Sequence, residues 1–157
     1  MNTNVSLEHA VLTGDIVNSS NLLPRDRQKL FETFPRLSAM LRERYPQAVR
    51  HDISNFRGDS WQLIIARPEK SLEISLYIRT YLRFAVSERK LDSRIAIGIG
   101  EVEFIPENNV SAGYGSAYTA SGHLLETLSG SQRMALGFAA PEDSLAHNAA
   151  VILVELV

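Results

Sequence analysis

Two Gly-Asp pairs carry the side chains best suited to chemistry in this sequence. The first lies in residues 12–17 (LTGDIV) and supplies Asp15, and the second lies in residues 57–61 (RGDSW) and supplies Asp59. Two carboxylates at close range repel each other unless a cation lies between them. Mg²⁺ takes hard oxygen ligands, commonly one or two carboxylates with phosphate oxygens and water. A pair formed by Asp15 and Asp59 would suit Mg²⁺ or Mn²⁺ and a nucleoside triphosphate, whereas two separate Gly-Asp pairs would simply be turns.

The order of apolar and turn-forming segments predicts the elements that position the two aspartates. Strands are expected at residues 10–13, 49–56, 60–66, 94–104 and 133–139, and helices after residues 18–21 (with a kink or break at Pro35) and at 69–88, 116–128 and 141–157. The order β-α-β-β-α-β, then helix, strand and helix, predicts an α+β fold of the ferredoxin-like or palm type. In such a sheet the first strand lies beside the central hairpin, so Asp15 and Asp59 would reach the same end of neighbouring strands.

The strand at 94–104 has one unusually bare face. Ile95, Ile97 and Ile99 alternate with small residues, among them Gly98 and Gly100. Glycine inside a strand often marks a place where a backbone or a ligand comes close to the sheet. This face and the last helix are therefore the candidate surfaces for packing against a second chain.

Composition indicates one globular domain over residues 1–157. Apolar residues make up 45% and charged residues 22% of the chain, which is typical of a soluble protein rather than a disordered one. The net charge of −2 gives no sign of non-specific nucleic-acid binding. The chain has no cysteine, which excludes disulfides, thiolate zinc sites and a cysteine nucleophile.

Targeting signals are absent from the sequence as it stands. The N-terminus lacks the basic start and apolar stretch of a signal peptide, and no apolar run approaches the roughly 20 residues of a membrane-spanning helix. We therefore expect a cytoplasmic protein with no membrane partner. The last predicted helix reaches Val157 without a stop signal, so either it packs on a partner or this chain is the N-terminal piece of a longer protein.

Four motifs resemble those of class III adenylate and guanylate cyclases, in the same order along the chain. They are residues 13–18 (TGDIVN), like the first-strand Asp-Ile motif; 56–61 (FRGDSW), like the hairpin Gly-Asp motif; 94–102 (RIAIGIGEV), like the strand Arg-x-Gly-Ile-x-x-Gly-Glu-Val; and 114–121 (YGSAYTAS), like the Gly-x-x-Val-Asn-x-Ala helix start. The resemblance implies a palm-like fold, a metal-binding and catalytic role for Asp15 and Asp59, and a homodimer, because these cyclases build their site between two chains.

The motif set is more similar still to that of SatD-family proteins, bacterial relatives of this fold. Their early Gly-Asp-Ile-Val, central Gly-Asp-Glu-Phe-Gln and late Gly-x-Ala-x-x-x-Ser-Gly correspond here to residues 14–17 (GDIV), 58–62 (GDSWQ) and 115–122 (GSAYTASG). The resemblance extends over residues 10–140.

Several positions that contact the nucleotide in the cyclases carry other residues here. Asn55 stands where the cyclases have the lysine that reads adenine, and Thr119 and His123 stand where they have the asparagine and arginine of the transition state. By resemblance, these three are candidate nucleotide contacts. Arg57 is a fourth candidate, either as a phosphate clamp or as an ion-pair partner of Asp15 or Asp59.

Three functions remain open on the sequence alone. The first is a divalent-metal and nucleotide-binding, cyclase-like domain that is regulatory or catalytically degenerate, since groups that stabilise phosphoryl charge are missing. The second is an enzyme that forms or cleaves a phosphodiester by cyclase-like or nucleotidyltransferase-like chemistry, with two metals on Asp15 and Asp59. The third is a ligand-free module for interaction or dimerisation.

Overall fold

A mixed sheet with helices on both faces forms the centre of the computed structural model. The structure describes residues 8–85 and 91–139, and the backbone of residues 152–154. The strands are β1 (His9–Ile16), β2 (Ser54–Phe56), β3 (Ser60–Ile65), β4 (Ser93–Gly100), β5 (Met134–Phe138) and β6 (Ile152–Val154), and the helices are α1 (Pro24–Arg44), α2 (Ser71–Ala85) and α3 (Ser116–Thr127). The strand order is β2-β3-β1-β4-β5-β6. Only the β4–β5 pair is parallel among these strands. The α+β palm-like fold is thus confirmed.

The main core lies between one face of the sheet and helices α1 and α2. Alternate strand residues point into it, because successive side chains of a strand face opposite sides of a sheet. The buried side chains include Leu12, Trp61, Leu63, Ile95 and Ile97 from the sheet, Leu30, Phe34, Leu37 and Leu41 from α1, and Ile74, Ile78 and Leu82 from α2. The predicted break at Pro35 is wrong, since α1 continues through it.

Helix α3 covers the opposite face of the sheet. A Cβ atom placed on Gly98 would collide with the backbone of α3 at Ala117 O and Ser121 N, so this glycine lets the helix lie directly on β4. The expectation that a backbone approaches this face is confirmed. Its use as a free dimer surface is wrong at Gly98, because the chain's own helix already occupies that position.

The end of the described chain is a strand. Residues 152–154 pair antiparallel with β5, with Met134 opposite Val154. The sequence predicts a helix from Pro141 to the end, and that prediction is wrong for these three residues; the rest of the segment lies outside the described residues. A short apolar run fits a buried strand as well as a helix, and here it covers an otherwise open sheet edge.

Two predicted strands are shorter than expected. Strand β2 begins at Ser54 rather than at residue 49, and β4 ends at Gly100 rather than at residue 104. Phe104 instead forms a single bridge with Tyr114. No helix among the described residues combines the length and the apolar character needed to cross a membrane.

Candidate functional site

The candidate site lies at the end of β1, where neighbouring strands present their side chains to one pocket. Asp15 is opposite Ser60 of β3 on one side and opposite Arg94 of β4 on the other. The Ile16 amide donates a hydrogen bond to Asp59 O at 3.2 Å, which joins the β2–β3 turn to the end of β1. The structure therefore brings Asp15 and Asp59 together, as the topology predicts.

The turn that carries Asp59 depends on left-handed backbone. Arg57 has φ of 48° and Gly58 has φ of 80°, and the Asp59 amide donates back to Arg57 O at 3.1 Å. Glycine adopts positive φ at little cost, whereas arginine is uncommon there. Asn18 has φ of 56° in the loop that follows β1, so the two loops that border the site both use this backbone region.

A pocket of about 500 Å³ lies between these loops. It is lined by residues 15–20, Asp59, Arg94, Gly130 and Arg133. The Ser19 hydroxyl donates a hydrogen bond to a carboxylate oxygen of Asp59. The lining therefore contains two carboxylates, two guanidinium groups and several polar groups of the β1–α1 loop, a combination suited to a ligand that carries negative charge.

Arg94 binds Asp15 through a two-point contact. Its Nε donates to Oδ1 at 2.9 Å and its Nη2 donates to Oδ2, while its Nη1 donates to Leu128 O at 3.0 Å. The hydrogen bonds to Asp15 raise the pKa of Arg94, and the charge of Asp59 adds to the same effect. Arg94 is thus the internal cation of the site, and Asp59 lies within its electrostatic reach.

Buried side chains fix the end of β1 beneath the pocket. Ser93, which is fully buried, donates from Oγ to Asp15 O at 2.7 Å and accepts from Trp61 Nε1 at 3.2 Å. The Trp61 ring packs against Gly14, where a Cβ atom would overlap it. Trp61 is 0% exposed, so it supports the site from the core and does not contact a ligand.

A third acidic residue, Asp92, lies just behind the pocket. Its carbonyl accepts from the Val17 amide at 2.8 Å, and its carboxylate accepts from Arg79 at 2.6 and 2.8 Å. Burial by itself raises the pKa of Asp92, but the hydrogen bonds and charge of Arg79 outweigh it, so the pKa lies below its usual value. Asp92 is therefore an ionised anchor between β4 and α2.

The four candidate nucleotide contacts do not line this pocket. Arg57 and Asn55 are exposed on the β2–β3 hairpin. Thr119 and His123 are exposed on α3, where the His123 side chain lies 3.9 Å from Glu126. Helix α3 presents Ala117 and Ser121 to the sheet instead, which turns positions 119 and 123 outward.

Two pocket residues, Arg94 and Arg133, escape the sequence reasoning. The position of Arg94 could be predicted from the sequence, because β4 pairs with β1 and brings Arg94 opposite Asp15. Arg133 carries no comparable signal, since its position depends on the register between β4 and β5. Ser19 looks like a helix-capping residue in sequence, and its contact with Asp59 depends on the loop conformation.

Asp15 and Asp59 are the pocket residues whose side chains could bind a metal ion. In residues 8–85 and 91–139, no group of three or more His, Cys, Asp or Glu side chains is placed to hold a metal ion. Two carboxylates are nevertheless enough for Mg²⁺ when phosphate oxygens and water complete its shell. The residues present therefore fit a cation that arrives with a phosphate ligand and displaces Arg94 from the carboxylate of Asp15.

Comparison of the whole fold with solved structures gives a consistent result. The guanylate cyclase domain of RhGC from Catenaria anguillulae in complex with GTP matches with a TM-score of 0.63 and 14% identity, over 84% of this chain and 79% of that one. The fold is that of a nucleotide cyclase catalytic domain. A dimeric guanylyl cyclase domain from Blastocladiella emersonii (TM-score 0.62, 13% identity, 82% and 78% coverage) and the adenylyl cyclase CyaB from P. aeruginosa (0.60, 13%, 83% and 76%) match similarly.

Sequence comparisons add no family to this result. No protein-family model matches the chain, and no curated protein matches it. The likeness to SatD-family proteins therefore stays a prediction. At these identities the cyclase-like architecture alone is shared, and the chemistry must be argued from the pocket.

Proposed function

We propose that this protein is a nucleotide-binding, cyclase-like domain that takes the phosphate groups of a nucleoside triphosphate together with Mg²⁺ or Mn²⁺. The observation that carries the proposal is the convergence of Asp15, Asp59 and Arg94 on one pocket. The carboxylates are hard ligands for the cation, and the guanidinium matches the geometry of phosphate oxygens. A bound cation would neutralise the triphosphate and relieve the repulsion between the two carboxylates. A structural neighbour in complex with GTP supports the class of ligand.

The proposed role is regulatory, with catalysis degenerate or slow. The positions that correspond to the transition-state residues, Thr119 and His123, are exposed on α3 and do not reach the pocket of their own chain. The proposal includes a homodimer, because the exposed face of α3 that carries Thr119 and His123 could contact a second copy of the chain. At such a dimer interface, Thr119 and His123 (which lies beside Glu126) would supply less positive charge than the asparagine and arginine found at these positions in the cyclases.

Thermal unfolding with and without ligand tests the proposal. A ligand that binds only the folded state stabilises it by about 2.7 kcal/mol at a hundred times its Kd, so the midpoint must rise. We expect a rise with Mg²⁺ or Mn²⁺ plus a nucleoside triphosphate, and its loss in Asp15→Asn and Asp59→Asn. Asp52→Asn is the matched control, since Asp52 is an exposed aspartate paired with Arg42 outside the pocket. If the unfolding midpoint does not rise with ATP, GTP, CTP or UTP at millimolar concentration in the presence of the cation, the proposal is wrong.

The second function, phosphodiester formation or cleavage, is separated by a product assay. Labelled nucleoside triphosphates incubated with the protein and Mn²⁺ should remain unchanged if the domain only binds them. A cyclic or hydrolysed product that disappears in Asp15→Asn would replace the binding role with the enzymatic one. Absence of both binding and product would favour an interaction module.

A further inference from the structure

Arg133 lies beside Arg94 at the rim of the pocket. Strands β4 and β5 are parallel, with Ile95 opposite Met134, and the Ile95 amide donates to Arg133 O at 2.8 Å. Arg94 and Arg133 therefore precede the same register pair on neighbouring strands, and both line the pocket. Like charges at neighbouring positions of a sheet are unfavourable unless an anion lies between or beside them. The arrangement needs negative charge.

The charge of Arg94 is already matched, whereas that of Arg133 is matched only in part. Asp15 accepts two hydrogen bonds from Arg94. Among the described residues, the carboxylate that contacts Arg133 is that of Asp92, whose Oδ2 lies 3.4 Å from Arg133 Nε. Both oxygens of Asp92 are taken by Arg79, and Arg83 lies 3.8 Å from the same carboxylate. One aspartate thus serves three arginines.

The imbalance extends over the whole cluster. Around the pocket the described residues place four arginines and three aspartates within contact of one another or of the pocket: Arg79, Arg83, Arg94, Arg133, Asp15, Asp59 and Asp92. Among these seven described side chains one positive charge is in excess, and Arg133 is the loosely paired arginine that lines the pocket. A negatively charged ligand that enters the pocket would neutralise this excess positive charge.

The Arg133 side chain is held in place before any ligand arrives. Its Nη1 donates to Gly130 O at 2.8 Å and to Gln132 O at 3.0 Å, and the side chain is 22% exposed. A guanidinium that is fixed in this way loses little conformational entropy when it binds a phosphate, so its contribution to affinity is larger than that of a free surface arginine.

We propose that Arg133 is a second phosphate-binding residue of this pocket, with Asp92 as the residue that positions it. This inference rests on the proposed nucleotide-binding function and extends it: two adjacent guanidinium groups fit a chain of phosphates, such as the triphosphate of a nucleotide or an inorganic polyphosphate. Arg133 then supplies positive charge from the β4–β5 side of the pocket, where the outward-facing His123 of α3 cannot.

Calorimetric titration with ATP and with inorganic tripolyphosphate, each in excess Mg²⁺, tests the inference. Arg133→Gln keeps a polar side chain but removes the charge and the guanidinium fork, and we expect roughly ten- to hundredfold weaker binding of both probes. Arg133→Lys should recover part of the loss, because lysine keeps the charge and lacks the fork. Arg83→Gln is the matched control: it pairs with the same Asp92, its side chain is 42% exposed, and it does not line the pocket.

The outcomes separate the two proposals. Unchanged affinity in Arg133→Gln, with the parent protein binding normally, would overturn the role of Arg133 and leave the nucleotide site standing. An equal loss of affinity in Arg83→Gln would mean that overall charge, not contact with Arg133, determines binding, and this would also overturn the role of Arg133. A loss of affinity for ATP but not for tripolyphosphate would mean that Arg133 does not contact the phosphates.

If Arg133→Gln lowers the unfolding midpoint but leaves the affinity unchanged, Arg133 has only a structural role. No binding of either probe by the parent protein would remove both proposals.

Discussion

Arg94 occupies both carboxylate oxygens of Asp15, the residue directly opposite it on β1. Its third nitrogen donates to Leu128 O, so the guanidinium is fixed between a strand and the loop after α3. The Asp15 side chain is 17% exposed, which leaves little room for a further ligand beside the arginine. A divalent cation that uses Asp15 must therefore compete with a cation that the fold already supplies.

Removing this internal cation should strengthen metal binding in the absence of nucleotide. In Arg94→Gln both oxygens of Asp15 lose a charged donor, so we expect Mn²⁺ alone to bind roughly tenfold more tightly than to the parent protein. The same variant should bind nucleotide more weakly, because a phosphate contact is lost. Free Mn²⁺ measured by electron paramagnetic resonance during a titration gives the metal affinity directly.

Arg42→Gln provides the comparison for this experiment. Arg42 also forms an ion pair with an aspartate, Asp52, but on the exposed surface of α1. It should leave Mn²⁺ affinity unchanged. If Arg94→Gln and the parent protein bind Mn²⁺ equally, Arg94 does not compete for Asp15; if Arg42→Gln shows the same gain, the effect is one of overall charge.

The meeting of Asp15 and Asp59 was predictable because local signals place each of them. An apolar strand ends at Asp15, and Gly58 marks a turn before Asp59, where the backbone has positive φ. Once the first strand is set beside the hairpin, the pleat and register bring the two aspartates to one end of the sheet. Local strand and turn signals, combined with the topology, are therefore enough to predict this part of the site.

The position of Arg133 and the orientation of α3 cannot be predicted in the same way. Arg133 reaches the pocket because β5 is parallel to β4 in one particular register, and no local pattern in residues 129–133 specifies that register. Helix α3 shows the limit of family likeness: Thr119 and His123 occupy the expected positions in sequence, but the close contact of Ala117 and Ser121 with Gly98 decides which side of the helix faces outward.

That close contact gives a prediction about stability. In Gly98→Ala the new Cβ atom meets backbone atoms of α3, which cannot rotate away as a side chain can. Overpacking of this kind costs typically 1–3 kcal/mol, so we expect a loss of about that size in the free energy of unfolding. Urea unfolding followed by circular dichroism measures it.

Gly122→Ala is the same substitution at a site where the result should have the opposite sign. Gly122 lies within α3, and a methyl group added there would have no atom within 4 Å apart from its own helix and its chain neighbours. Alanine favours a helix over glycine by about 1 kcal/mol, so this variant should be as stable as the parent protein or more so. Equal effects of the two substitutions would contradict the packing of α3 on Gly98.

Asp92 should make stability depend on pH. Its pKa is lower in the folded protein than its ordinary value, because Arg79 outweighs the effect of burial. The ionised carboxylate therefore stabilises the fold at pH values above the unfolded pKa of about 3.9, and this contribution is lost as the pH falls through the folded pKa. Arg83 and Arg133 face the same carboxylate and act in the same direction.

Asp92→Asn tests this dependence, because asparagine keeps the shape of the side chain and removes its charge. At pH 7 the variant should lose on the order of 3 kcal/mol, since Arg79, which is only 6% exposed, is left without its partner. Thermal unfolding between pH 3 and pH 7 should show the gap to the parent protein closing below pH 4. Asp52→Asn, which breaks an exposed pair, should cost less than about 1 kcal/mol. A gap for Asp92→Asn that stays constant across this range would mean that the carboxylate does not stabilise the fold through its charge.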